Sequence, residues 1–230
     1  GDLWRPVRVD LDKVKTIGDY DNEHLETHSG LRAITACAAL CGQHTWCELW
    51  CQQEDGACIL RDLFISPAYE EESDSNVQTC FTKRATDYST DAVQIYGSTH
   101  MGTRPKSVKE NLLDGLQSLD SGDGCYVSET TSNAFVMFDL GMEKLVNEVH
   151  VFPGSTYAAE NYFGPLEIRI GQSLVVNNDF NSYKLLGKYS NSTQSRQEVV
   201  ITPSKPVTGR YLSVQQMRNG YFFICHIEIL

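Results

Sequence analysis

"CAALCGQHTWCELWC", Cys37–Cys51, puts four cysteines into one short stretch as C-x3-C, a gap of five residues, then C-x3-C again. Whether these are metal ligands, redox thiols or crosslinks decides what kind of body the N-terminal third forms. Structural zinc sites pair cysteines two to four residues apart, which C-x3-C allows. No His follows close behind, however, and the cysteines of this region do not divide into tetrahedral sites without leftovers. A thioredoxin-like pair needs C-x-x-C beside a βαβ pattern, and none occurs. Crosslinks fit better. The chain has eight cysteines: Cys37, Cys41, Cys47, Cys51, Cys58 and Cys80 in the first third, then only Cys125 and Cys225. That distribution predicts two separately stapled domains, because a body of ~80 residues with little core needs covalent support. Disulfides persist in oxidising compartments, so the protein is expected to be secreted and extracellular. With no charged-then-apolar leader at Gly1, any secretory signal is expected to have been removed, and export rests on the cysteines.

Local patterning agrees with the crosslink reading. "SGLRAITACAALCGQ" carries Leu31, Ile34, Cys37, Ala38 and Cys41 at helical spacing, which predicts a helix burying that face and stopping at Gly42. A strand "CELWC", a turn "QEDGA" and a strand "CILRDLF" follow. Six cysteines allow fifteen pairings, and spacing alone does not choose among them.

Composition excludes several partners. The chain of 230 residues has 41% hydrophobic and 21% charged residues, and no apolar run approaches the ~18 residues a membrane helix needs. Residues 1–84 hold 15 acidic and 8 basic groups, a net of −7, and the remainder 15 and 11, a net of −4. Neither part clusters Lys and Arg as a nucleic-acid binder does, and anionic lipid is disfavoured for the same reason.

The order of helix, C-x3-C, C-x3-C, hairpin and a last Cys before "FTK" resembles the PAN/apple domain over about residues 1–84. The resemblance implies that the helix is tied to the sheet by Cys37 with Cys58 and Cys41 with Cys47, leaving Cys51 with Cys80. Apple domains usually join their ends through an N-terminal Cys, and this chain has none before Cys37.

Beyond the short polar stretch "KRATDYSTDA", residues 83–92, come eight strand-like runs: "AVQIYG", "AFVMFDLG", "NEVHVFPG", "PLEIRIG", "YKLLGKY", "QEVVIT", "RYLSVQQM" and "FFICHIEIL". Short strands at this spacing predict an antiparallel sandwich. The landmarks "ENLLDG", "GDGC", "FVMFDLG", "NEVHVF", "LEIRIG", "TGRYLSV" and a terminal "CHIEIL" resemble the discoidin (coagulation factor C-type) domain, and within that superfamily the F-type lectins, over residues 92–230. The expected fold is therefore mainly β: a small disulfide-rich α+β body followed by a galactose-binding-like jelly roll, with a bridge between Cys125 and Cys225.

The resemblance also assigns sites. F-type lectins hold fucose with a His two residues after the Cys that matches Cys125, and with two Arg in the loop that matches "FPGSTYAAENYF". Here the His position is Val127, the Arg positions fall near Gly154 and Asn161, and that loop has no Arg. A planar guanidinium with fixed donors is not replaced by Gly or Asn, so fucose binding by the family's mechanism is not expected. Other chemistry is present. "STYAAENY" supplies Tyr157, Glu160, Asn161 and Tyr162, and "STHMGTR" supplies His100 and Arg104, in loops the resemblance places at one open end of the sandwich. Aromatic faces can stack on a sugar while the polar groups bond its hydroxyls. The family often binds structural Ca2+ at an N-x-x-D-G loop; Asn111 and Asp114 match it, with Asp120 and Asp123 as further oxygen donors. The Glu expected directly after the last Cys is His226, with Glu228 two positions on.

Other motifs fail on inspection. "HLETH" sets His24 and His28 four apart, but a zinc protease needs Glu directly after the first His, and Glu26 is one position late, so a solvated turn is expected. No G-x-S-x-G, phosphate loop or dinucleotide fingerprint occurs. "NST" from Asn191 is an N-glycosylation acceptor. Phe222 and Phe223 alternate into the last strand and are expected in the core rather than in a membrane. The reading is a secreted, non-enzymatic recognition protein that binds glycans or glycoconjugates through loops of the C-terminal sandwich. The alternative is a matrix or adhesion protein whose two modules bind extracellular proteins, with sugar binding lost.

Overall fold

The computed structural model describes residues 4–16, 25–29, 34–63, 65–69, 71, 76–83, 87–117, 124–153, 163–175, 177–191 and 197–230. The chain divides into two compact units, Gly1–Thr86 with Gly115–Gln117, and Asp87–Asp114 with Ser118–Leu230.

In the first unit, β1 (Arg5–Asp10), α1 (Leu11–Thr16), β2 (Leu25–His28), α2 (Ile34–Cys41), β3 (Leu49–Gln52), β4 (Cys58–Arg61) and β5 (Val77–Thr82) follow in chain order. The five strands form one antiparallel sheet in the order β1-β5-β3-β4-β2. Three disulfides hold it: Cys37–Cys58 fastens α2 to β4, Cys41–Cys47 ties the end of α2 to the next turn, and Cys51–Cys80 joins facing positions of β3 and β5. These are the pairs the apple-like pattern implies. Cys37 and Cys41 are buried together with Trp50, Leu60 and Cys58, and Gly42 donates its N–H to the Ala38 carbonyl where the helix stops. Ile34 departs from the expected buried face and is 49% exposed, because it opens the helix at the rim of a cleft. Leu31 lies outside the described residues. A second cluster gathers Val7, Val9, Leu11, Val14, Leu49 and Ile59. The "HLETH" segment also differs from expectation: Glu26 and His28 sit on edge strand β2, two residues apart and on one face, with His28 Nε2 2.7 Å from Glu26 Oε2. Pairing with β4 supplies the backbone partners that make a strand of what read as a turn. His24 lies outside the described residues.

The second unit is a β-sandwich. Its larger sheet contains β6 (Gln94–Gly97), β9 (Phe135–Val146), β11 (Leu166–Gly171), β12 (Lys184–Tyr189) and β14 (Val207–Gln216) in the order β12-β11-β14-β9-β6. The smaller sheet orders β13 (Val199–Ile201), β10 (Val149–Phe152) and β17 (His226–Ile229) as β13-β10-β17. Period-two alternation turns Val136 and Phe138 of β9, Ile168 and Ile170 of β11, and Leu212 and Val214 of β14 onto one buried face. There they meet Val149, Val151, Ile227 and Ile229 from the smaller sheet. All eight strand-like runs form strands. A short ribbon of β7 (Tyr126–Val127) with β16 (Phe223–Ile224) adjoins the Cys125–Cys225 disulfide, and a second pairs β8 (Thr131–Ser132) with β15 (Asn219–Gly220). Phe222 and Phe223 are buried.

The second unit begins at Asp87, inside the stretch read as a connector. The Asp87 carboxylate accepts from the Ser89 N–H (2.9 Å), the Ser89 hydroxyl (2.5 Å) and the Ile229 N–H (2.8 Å). It thereby pins the start of the unit to its last strand. The polar composition that suggested a linker is the composition of a buried clamp.

Candidate functional site

Three loop segments of the sandwich are hydrogen-bonded side by side. The centre is residues 126–129. On one side the Glu129 N–H donates to the Thr99 carbonyl (2.8 Å) and the Met101 N–H to the Val127 carbonyl (2.8 Å), while the Val127 N–H donates to the Ser107 carbonyl (3.2 Å). The arc 101–107 is therefore fastened at both ends to one residue, and successive turns bond Arg104 N–H to Met101 and Ser107 N–H to Arg104. Arg104 and Lys106 are exposed on this arc and His100 is half-buried. On the other side Ser128 takes both ends of a bond pair with Phe222, through its N–H (2.9 Å) and its Oγ (2.9 Å).

The arc is basic within an acidic chain. Arg104, Lys106 and Lys109 fall in 98–109 with no acidic residue, against a formal net charge of −11 for the whole. Glu110 follows, 2.8 Å from Lys109 Nζ. Burial pushes its carboxyl up, but the Lys109 bond, with a smaller contribution from His100, holds it below the ordinary range.

Val127, the position the resemblance gives to a sugar-binding His, is 4% exposed and packs with Cys125, Cys225, Phe223, Met101 and Tyr221. An apolar side chain fills this place. Tyr157, Glu160, Asn161 and Tyr162 lie outside the described residues, as do Gly154, Asp120 and Asp123.

One residue that the sequence reading passed over stands at the end of that loop. Arg218 lies across Gly164: a Cβ on Gly164 would come within 2.5 Å of Arg218 Nε and 2.6 Å of its Cδ. The neighbouring Met217 N–H donates to the Pro165 carbonyl at 2.7 Å, which fixes the approach. A guanidinium carried between β14 and β15 thus lies over Gly164. The available signal was a Gly-Pro pair opening a strand, where a missing side chain commonly marks a close approach.

A second polar cluster occupies the smaller sheet. His150 on β10 faces Glu228 on β17 in register. His150 Nδ1 bonds Glu198 and lies 3.9 Å from Glu228, and its Nε2 is 3.1 Å from Glu148. His226 Nε2 is 3.7 Å from Glu228, and both residues are fully buried. Burial pulls the His150 imidazole down, but Glu198 and Glu148 more than offset this and hold it above the ordinary value.

Glu228 faces two imidazoles in the strand layer, Asp114 is exposed where the 3-10 turn Lys109–Leu113 ends, and the Asn111 amide donates to the Lys106 carbonyl at 2.8 Å. Among the described residues no group of three or more His, Cys, Asp or Glu is arranged to hold a metal ion. Asn191, where the sequence predicts a glycosylation acceptor, is exposed just beyond β12.

No protein-family profile and no curated protein matches the chain. Solved structures do. An F-lectin (fucolectin) from the serum of striped bass, Morone saxatilis, superposes with a TM-score of 0.55 at 18% identity, over 75% of this chain and 56% of that one. This chain therefore spans little more than half of that lectin's length. The lectin-binding domain of lectinolysin, a histidine mutant in complex with Lewis b, gives a TM-score of 0.51 at 14% identity, over 64% of this chain and 96% of that one. At these identities the likeness defines the fold, a galactose-binding-like β-sandwich. Among the described residues no helix is long and apolar enough to cross a membrane.

Proposed function

We propose that the protein is a secreted, non-enzymatic recognition protein. Its C-terminal unit binds glycans through the loop end of the sandwich, and its N-terminal unit is a PAN/apple-like module. The observation that carries this reading is the position of Arg218 across Gly164, at the end of the loop bearing Tyr157, Glu160, Asn161 and Tyr162. With Arg104 and Lys106 on the fastened arc, the rim favours a glycan bearing carboxylate or sulfate, since guanidinium recognises such groups with paired donors. The fold's likeness to a fucolectin and to a Lewis b-binding domain supports the glycan class.

A glycan array probed with the full chain tests this. Acidic glycans are expected to bind, and joint Arg104→Ala and Arg218→Ala substitution is expected to weaken them about tenfold or more, ~1.4 kcal/mol or above. Raising salt from about 0.05 to about 0.3 M is expected to act in the same direction. Retention of no acidic glycan, or binding indifferent to both arginines, overturns the reading. Calcium belongs to it only as a structural ion near Asn111 and Asp114, and a chelator that lowers the melting temperature is the expected sign.

A second reading is favoured by the burial of Val127, which leaves no His for the family's own sugar contact. In that case the unit is an adhesion module for extracellular proteins, and pull-downs from enzymatically deglycosylated extracts retain partners that the first reading loses.

A further inference from the structure

The smaller sheet of the second unit ends at β17, and among the described residues no strand pairs with its outer edge in the order β13-β10-β17. Residues 87–89 lie along that edge instead. The Tyr88 N–H donates to the Ile229 carbonyl (2.8 Å), the Ile229 N–H donates to Asp87 Oδ1 (2.8 Å), and Ser89 Oγ stands 3.0 Å from the Ile227 carbonyl oxygen. An open strand edge needs such cover, because its backbone groups otherwise stay available to another chain. Asp87, Ser89, Ile227 and Ile229 are all fully buried, so a hydrogen bond lost from this set costs the desolvation of the group that loses it.

The set holds one proton too few when Asp87 is ionised. Oδ1 already accepts from two backbone donors, the Ser89 and Ile229 N–H groups. Oδ2 is 2.5 Å from Ser89 Oγ, and the same Oγ is within bonding distance of the Ile227 oxygen. A serine hydroxyl has a single proton to give. Against a carboxylate it goes to Oδ2, the charged and stronger acceptor, and the Ile227 carbonyl loses it. Against a carboxylic acid the bond turns round: Oδ2 donates to Oγ, and the Ser89 proton is released to Ile227. The acid form thus makes one more hydrogen bond with every heavy atom in place. Neighbouring charges act in the same direction or are engaged elsewhere. Asp91 repels the ionised form. Glu228, between the two isoleucines, turns to the other face of β17 and lies 3.9 Å from His150. Lys144 of β9 sits over the ring of Tyr88, 4.8 Å from its centroid.

We propose that Asp87, Ser89 and Ile227 form an acid-tightened latch on the edge of β17, in which Asp87 takes up one proton from solvent at Oδ2, donates it in a hydrogen bond to Ser89 Oγ, and so turns the Ser89 hydroxyl onto the Ile227 carbonyl. Burial, which raises this carboxyl to about 6, places the closure in mildly acidic solution. The latch is closed below that pH and opens as pH rises through it.

The test is a pH titration of the full chain labelled with 13C and 15N. The Asp87 side-chain carboxyl and the Ile227 backbone carbonyl are expected to shift together, with one midpoint near pH 6. Ser89→Ala is expected to flatten the Ile227 shift while Asp87 still titrates. Asp87→Asn puts a permanent N–H donor opposite Ser89 Oγ. It is expected to lower the unfolding constant of the second unit at neutral pH by about tenfold or more, the worth of at least one hydrogen bond, and to change it little below about pH 4, where the acid is already protonated. The proposal is overturned if the Ile227 carbonyl does not follow Asp87, if Asp87 titrates below the ordinary carboxylate range, or if Asp87→Asn destabilises the unit at neutral pH. Both carbon signals are read on the unsubstituted chain, so a variant that fails to fold does not protect the proposal.

Discussion

The first unit keeps its shape with three disulfides and two small buried clusters. The second uses one disulfide and a continuous core between two sheets. The contrast follows from surface-to-volume scaling: a small body buries too little apolar area to balance chain entropy, and crosslinks restrict the unfolded chain instead. In the second unit a basic arc, residues 101–107, is fastened at both ends by backbone bonds to Val127.

Removing the crosslinks tests the contrast most strongly. Loop-closure entropy assigns about 4.7 kcal/mol to a bridge closing ~100 residues and about 2 kcal/mol to one closing ~6. Cys125 and Cys225 are separated by 100 positions, Cys41 and Cys47 by 6. Double Ser substitution of each pair, followed by denaturant unfolding, is expected to cost the second unit more for its single bridge than the first loses at Cys41–Cys47. Equal losses would mean that residual structure in the unfolded chain dominates.

Acid separates the units next. Burial raises the Asp87 carboxyl from 3.8 to about 6, only partly opposed by Ser89 and Ile229. The folded second unit thus holds a proton that the unfolded chain has released between about pH 4 and 6. Its stability contribution is full below that window and falls as pH rises through it, by roughly 3 kcal/mol at 1.36 kcal/mol per pKa unit. Asp87→Asn is expected to remove this slope from the melting curve of the second unit.

In the first unit the sign reverses. Burial pushes Glu71 up, but Lys13 Nζ at 2.7 Å, the Asp10 N–H and the Tyr69 hydroxyl hold it below its ordinary value. Its contribution is present above the unfolded pKa and is lost as pH falls through the folded one. Glu71→Gln is expected to cost about 1–3 kcal/mol at neutral pH and little in acid. A loss independent of pH would break the assignment.

The smallest expected effect is at Gly164. Gly164→Ala puts a methyl group where Arg218 lies, and a few-fold loss of acidic-glycan binding with an almost unchanged melting temperature is expected, measured on the array used above. Unchanged binding would detach Arg218 from the site.

The strand content of the sandwich and the cysteine arithmetic were legible because both depend on short-range pattern: alternation along a strand, and an even number of thiols split between two bodies. Ile34 and the "HLETH" segment were misread where tertiary pairing overrode local pattern, with Ile34 left at the rim of a cleft and Glu26–His28 recruited to a sheet edge by β4. The candidate site was legible in part. His100 and Arg104 were visible as loop chemistry, while Arg218 was not, because it belongs to a segment far along the chain whose proximity to Gly164 exists only after β14 and β11 pair.

What the amino-acid order determined by itself is therefore local and periodic: strands, helix and stop, crosslinkable thiols, and an acidic chain carrying one basic run. Tertiary structure alone decided which polar groups share a surface. It set Arg218 over a glycine and clamped Asp87 onto Ile229. The physical reason is that such groups meet through long-range strand pairing, whose register depends on the whole buried face and not on the residues that end up in contact.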